Sequence, residues 1–182
     1  LLLMGMSADT HGFERDQLRP HAWRYRDWVI DALNAGMPYD RFLREQIAGD
    51  VVAPGNPAAL VATGFLAAGP WDFVGHVETR SDMLRRAARA GDLDDMVTQV
   101  VTATMGVTIH CARCHDHKID PISQRDYYSL WSVFAGVKRD NREVDPTESR
   151  RLRAERERLI GLHAGVQGQL LRLSGGALDL AD

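Results

Sequence analysis

Residues 110–121 read HCARCHDHKIDP, and this run holds both cysteines of the 182-residue chain, Cys111 and Cys114, with three of its seven histidines. Thiolate sulfur and imidazole nitrogen are the side-chain donors that hold soft and borderline metals. Two cysteines separated by two residues, with a histidine directly after the second, also spell C-x-x-C-H, the attachment sequence of c-type haem. Thiols at that spacing share one helical turn and can reach the two vinyl groups of one porphyrin. On this reading Cys111 and Cys114 carry the haem and His115 is the proximal iron ligand, its second ring nitrogen held by a carbonyl or carboxylate.

Two other readings use the same residues. Cys111, Cys114, His117 and either His110 or His115 make the two-sulfur, two-nitrogen set of a zinc site or a similar divalent-metal site, with Asp120 beside it. Four ligands within so few residues wrap one ion only with strain. A disulfide accounts for the two cysteines but leaves His115, His117 and Asp120 without a role. The haem reading needs a second axial ligand from upstream, because no methionine follows Met105 and the one later histidine is His163. Met96, Met105 and His76 are the candidates, with Met83, His11 and His21 behind them. Met96 and Met105 also suit the core of an apolar helix face. Iron without a distal ligand is five-coordinate and favours ligand binding over simple electron transfer.

The elements that must position this cluster read as helices. Tyr25, Trp28, Val29, Ala32 and Leu33 recur at helical spacing up to Gly36, and Pro38 suits the first turn of a second helix carrying Phe42, Leu43 and Ile47. After VVAPGNPAAL comes an apolar run to Gly69-Pro70, a buried helix or a strand. WDFVGH reads as a loop whose aromatics pack in the core or touch a haem edge. A short basic helix is expected to end near Gly91, and Asp92 to cap a new helix in which Leu93, Met96, Val97, Val100, Val101 and Thr104 line one face and which delivers the chain into the cluster. Beyond it, Ser123 and Asp126 have the spacing of a capping box for QRDYYSLWSVFAG. From Thr147 onward Leu152, Leu159, Val166 and Leu173 fall seven apart with Leu162 and Leu170 in the same stripe, the pattern of a packed surface helix or a coiled coil. SGGALDLAD reads as a closing turn. The expected fold is all-α: an irregular helical domain with long loops over residues 1–140, and a charged heptad-like helix and tail over 141–182.

Three stretches carry a resemblance to a known family. SADTHGFERDQLRPHAWRYRDWVIDALNAGMPYDRFLREQIAGD, ATGFLAAGPWDF and CARCHDHKIDPISQRDYYSLWSVFAG closely resemble the planctomycete-type cytochrome c domain family, found in large exported bacterial proteins between an N-terminal cytochrome c-like domain and a C-terminal domain of unassigned function. The resemblance spans roughly residues 8 to 140. It implies flanking domains as partners, export to the periplasm or cell surface, and a haem-binding role in which Cys111 and Cys114 match the attachment cysteines and His115 the iron ligand. His117, Lys118, Asp120 and Pro121 match the rest of the signature, for which it implies no purpose.

Composition excludes several other classes. With 45% hydrophobic residues and a net charge of -3 the chain has the make-up of a globular protein, without the basic field that nucleic acid requires. Its apolar runs are too short to span a bilayer. LLLMGMSADT resembles the apolar part of a signal peptide without a charged start or cleavage site, so the chain is expected to begin inside a domain. Asp9, Glu14, Asp16, Arg24 and Asp27 fit caps and surface pairs better than a catalytic carboxylate pair. No serine triad, phosphate loop or nucleotide fingerprint stands out. The whole reads as a redox or binding module with an unassigned redox partner rather than a stand-alone enzyme, and no residue is assigned to catalysis.

Overall fold

The helical spacing of Tyr25, Trp28 and Ala32 is realised as α1, Trp23–Asn34, which buries Trp28 and Ala32 while Leu33 stays exposed. The helix ends where Gly36 takes a left-handed φ of 62°, letting the amides of Gly36 and Met37 bond back to Leu33 and Ala32. Pro38 then precedes α2, Tyr39–Val52. Trp28 stacks on Phe42 of α2 with ring centroids 5.2 Å apart, closing the expected hairpin. The structure is a computed structural model that describes residues 9–173 apart from residue 14. The expectations for LLLMGMSADT fall mostly, and those for SGGALDLAD wholly, outside the described residues.

The apolar run after the hairpin forms two short helices, α3, Pro57–Ala62, and α4, Gly64–Ala67. Asn56 caps α3 by accepting from the amides of Ala58 and Ala59. α3 lies so close to α2 that a Cβ at Gly49 would sit 2.0 Å from the Ala59 carbonyl oxygen, so only glycine fits there. WDFVGH begins as the expected loop at Trp71 and Asp72 but then departs from it, because Val74–Glu78 is a π-helical turn.

The largest departure from the sequence reading is α5, Asp82–Met105. The helix does not stop near Gly91, and Asp92 is not its cap. Ser81 caps it instead, accepting from the Leu84 amide. The helix continues because Asp92 has better partners inside it. Its carboxylate is almost wholly buried, 2.6 Å from Arg89 one turn earlier and 2.8 Å from Arg139. Arg89 also donates to the carbonyls of Phe134, Ala135 and Val137, and Arg139 to those of Gly69 and Pro70. One buried ionic knot therefore ties the middle of α5 to two irregular segments.

The lower half of α5 behaves as expected, burying Leu93, Met96, Val97 and Val101, with Val100 partly buried against the same cluster. These meet Phe65, Leu66, Ile109, Ala112, Tyr127 and Phe134 in the main core. Tyr25 packs against both this core and the hairpin core, donates to Gln46 at 2.7 Å, and has its hydroxyl pKa pushed up to about 12 by burial. Gly106, left-handed, ends α5. The chain then makes a 3-10 turn over His110–Arg113 and enters α6, Gln124–Val133. The expected capping box of Ser123 and Asp126 is present.

Contacts divide the chain into two compact units, Leu1–Asp140 and Asn141–Asp182. The second is α7, Pro146–Leu173, started by Asp145, whose side chain accepts from the amides of Thr147 and Glu148. None of its described side chains is buried. Among the described residues there is no β-strand, only an isolated bridge between Thr10 and Leu18, so the fold is all-α as expected. No described helix is long and apolar enough to cross a membrane.

The capping box sets the start of α6, the helix that holds Tyr127 in the core. Ser123→Ala is expected to lower stability by about 1 kcal/mol, measured as a shift in the urea unfolding midpoint with unchanged slope.

Candidate functional site

The cysteine turn hangs between the end of α5 and the start of α6. Val107 and Ile109 fill the core behind it, Ile109 almost completely buried, so the backbone leaves α5 anchored from below. Ala112, wholly buried, puts the inner side of the turn against the core, while Cys111 and Cys114 on either side are exposed and free. The amides of Cys114 and His115 bond back to the Cys111 carbonyl at 3.2 and 3.4 Å, which places the two thiols one tight turn apart.

What fixes the turn is a residue that the sequence reading passed over. Asp94 lies on the buried side of α5 with its side chain only 8% exposed. Arg113 donates to its Oδ2 at 2.9 Å, His110 Nδ1 lies 3.2 Å from the same oxygen, and the Tyr127 hydroxyl donates to its Oδ1. His110 directly precedes Cys111, and Arg113 directly precedes Cys114. One carboxylate thus grips the residue before each cysteine and, through Tyr127, the helix that follows. Burial and the hydrogen bond to Asp94 both raise the Tyr127 pKa, keeping its hydroxyl a donor. A buried carboxylate needs such partners, since an unpaired one costs several kcal/mol. The missed signal was the acid itself: Asp94 is three and seven positions before the core residues Val97 and Val101, on the apolar stripe.

The rest of the signature closes the turn on itself. The Arg113 carbonyl accepts from Gln124 Nε2 and the Tyr128 hydroxyl, and Asp116 Oδ1 accepts from the Gln124 amide at 2.8 Å. His117 is nearly buried, with a side-chain exposure of 6%. Its Nδ1 accepts from the Asp120 amide at 2.9 Å, so its proton sits on Nε2, which faces the Thr108 hydroxyl at 3.3 Å. His117 therefore pins the loop to the strand of chain leaving α5. His115 differs: it is exposed, and its Nδ1 lies 2.8 Å from the Asp116 carbonyl oxygen. That contact to a carbonyl makes Nδ1 the donor and leaves Nε2 as the ring nitrogen without a partner in the turn, the arrangement found in ligating histidines.

The five residues of the metal alternative are only partly brought together. His117 Nδ1 and Asp120 Oδ2 are 3.4 Å apart, and the two cysteines share their turn. Among the described residues no three His, Cys, Asp or Glu side chains converge as a metal site. The distal candidates are also dispersed. Met96 is fully buried in the core, and Met105 and Met83 are exposed at opposite ends of α5. His21 is exposed, and His11 has one ring nitrogen buried without a hydrogen-bond partner among the described residues. His76 stacks on Trp71 at 3.9 Å with its pKa lowered by burial, and lines a cleft of about 420 Å³ with Asp72, Asp92 and Asp95. None of Cys111, Cys114 and His115 lines that cleft.

The model of the PSCyt2 family, described as a protein of unknown function (DUF1549), matches residues 2–139. The chain belongs to this family. PSCyt2 is the planctomycete cytochrome c-like domain family, so the expected kinship holds at that level. The matched stretch takes in the helical hairpin, α5, the cysteine turn and α6 of this PSCyt2 domain, and α7 lies beyond it. No curated protein and no solved structure matches the chain.

The two histidines on either side of Asp116 should separate cleanly by mutation. His117→Ala strands the Asp120 amide and is expected to cost about 1–3 kcal/mol, whereas exposed His115→Ala should stay within about 0.5 kcal/mol. Urea unfolding of the two variants checks the contrast.

Proposed function

We propose that the unit Leu1–Asp140 is an exported c-type-haem-binding module with an electron-transfer or haem-based redox role, in which Cys111 and Cys114 attach the haem and His115 ligates its iron. The observation that carries this reading is the pair of free, exposed thiols on one rigid turn, followed by a histidine whose Nδ1 is held by a backbone carbonyl. That is the donor set and the imidazole state that thioether attachment and iron ligation require. When bound, the haem supplies one-electron redox chemistry. The chain's own part is to present two thiols at fixed spacing, hold the imidazole in its ligating tautomer and set the charge around it.

The zinc alternative fares less well, because His117 has both ring nitrogens engaged within the loop and would have to break that loop to bind. Of the distal candidates, Met96 would have to leave the core and His76 its stack on Trp71. Neither is free to ligate in this arrangement, which supports a five-coordinate iron or ligation by exposed Met105. Thioether attachment takes place outside the cytoplasm, so the proposed location is the periplasm or cell surface.

Expression with export and the haem-attachment machinery tests the proposal. The expected result is about one haem per chain that resists acid-acetone extraction and is lost in the Cys111→Ala, Cys114→Ala double variant. His115→Ala should keep the covalent haem and change the iron's absorption spectrum. Protein that carries stoichiometric zinc and no haem under those conditions overturns the reading.

A further inference from the structure

Three aspartates stand close together on α5, and two of them are fully engaged. Asp92 is paired with Arg89 and Arg139, and Asp94 with Arg113 and the Tyr127 hydroxyl. Asp95 differs. It is partly buried, yet its carboxylate makes no hydrogen bond or ion pair among the described residues, and desolvation holds its pKa above the usual carboxylate value. A carboxylate withdrawn from water without a partner costs stability, and a local rule broken at such a cost is the mark of a functional position.

Asp95 lines the cleft of about 420 Å³ beside His76, a volume in the range of small-molecule sites. The π-helical turn Val74–Glu78 and the first half of α5 contribute its walls. The two approach so closely that a Cβ at Gly75 would lie 2.2 Å from Asp72 Oδ2 and 2.7 Å from the Ala88 methyl carbon. Single π-helical turns of this kind recur at functional sites. The other acids lining the cleft are already engaged, Asp92 by its two arginines and Asp72 by the Gly75 amide at 2.7 Å. Burial lowers the pKa of His76, so its imidazole adds no positive charge. Phe13 also lines the cleft, 57% exposed, with its backbone at φ 59°, a left-handed conformation that bulky residues rarely adopt.

We propose that this cleft binds a small organic monocation, a primary ammonium on a short apolar chain, with Asp95 as its counter-charge and Phe13 as an aromatic wall. Other ligand classes suit it less. An anion meets no free cation there, because Arg89 and Arg139 are engaged by Asp92 and by backbone carbonyls. A metal ion meets too few donors, since no three His, Cys, Asp or Glu side chains converge among the described residues. An ammonium needs one carboxylate, and it gains from an aromatic ring and apolar walls. Val74, Leu84 and Ala87 supply those walls. Cys111, Cys114 and His115 lie outside the cleft, so this binding does not require haem.

Titration of the isotopically labelled full chain with n-butylammonium at constant ionic strength, followed by amide NMR, tests the proposal. n-Butanol and n-butyrate serve as the neutral and anionic counterparts. The expected result is saturable shifts of the Gly75, His76 and Gly91 amides with a Kd on the order of millimolar for the ammonium alone. Asp95→Asn is expected to weaken binding at least about tenfold, the scale of one charged hydrogen bond, and Phe13→Leu about threefold. Because Asp95 has no partner in the fold, Asp95→Asn should also raise the urea unfolding midpoint, whereas loss of a structural aspartate would lower it. Shifts that do not saturate up to on the order of 100 mM ammonium overturn the proposal. So does an equal response to n-butanol, or an Asp95→Asn chain that binds as tightly as the parent or unfolds at lower urea.

Discussion

The structure around the cysteines depends on one buried carboxylate. Asp94 cannot sit in the apolar face of α5 without charged or polar partners, and it finds them in Arg113, His110 and the Tyr127 hydroxyl. Those three residues belong to the turn and to the helix after it, so the need to satisfy one charge joins three consecutive segments. The cysteines gain rigidity without being buried, because each lies next to a gripped residue and faces outward. Ala112 between them completes the arrangement, its methyl group set into the core from the opposite side. Fixed backbone and open thiols are what the proposed haem attachment would use.

A second ionic knot, Asp92 with Arg89 and Arg139, does for the irregular segments what Asp94 does for the turn. Arg89 collects the carbonyls at the end of α6, and Arg139 those of Gly69 and Pro70. Burial and hydrogen bonding satisfy groups that helix ends otherwise leave to water. α5 is accordingly the organising element: its apolar residues make the core, and its aspartates place the loops.

Much of this was legible in the sequence. The hairpin, the capping box of Ser123 and Asp126, the apolar face of α5 and the long last helix all follow from periodicity and capping chemistry, which act within a few residues. The continuity of α5 was not legible, because Gly91-Asp92 has the local signature of a stop and start, and the partner that overrides it, Arg139, lies far along the chain. The role of Asp94 was hidden for the same reason: an acid in an amphipathic pattern declares its partners only once the helix is folded against them. HDHKIDP, which the haem motif left unexplained, proves to be a self-satisfied loop in which His117 accepts the Asp120 amide and Asp116 caps the approach to α6. Two histidines of one motif, on either side of Asp116, thus have opposite tasks, His117 inward and structural, His115 outward and available.

Asp94→Asn tests the central claim most directly, since it keeps the shape and an acceptor for Tyr127 while removing the charge that faces Arg113 and His110. Hydrogen exchange of the full chain is the measurement. The account predicts that amides in His110–His115 exchange at least about tenfold faster, a loss on the scale of one charged hydrogen bond, while those of Leu93–Val101 keep their protection. Unchanged protection in the cysteine turn, with or without loss elsewhere, would contradict it.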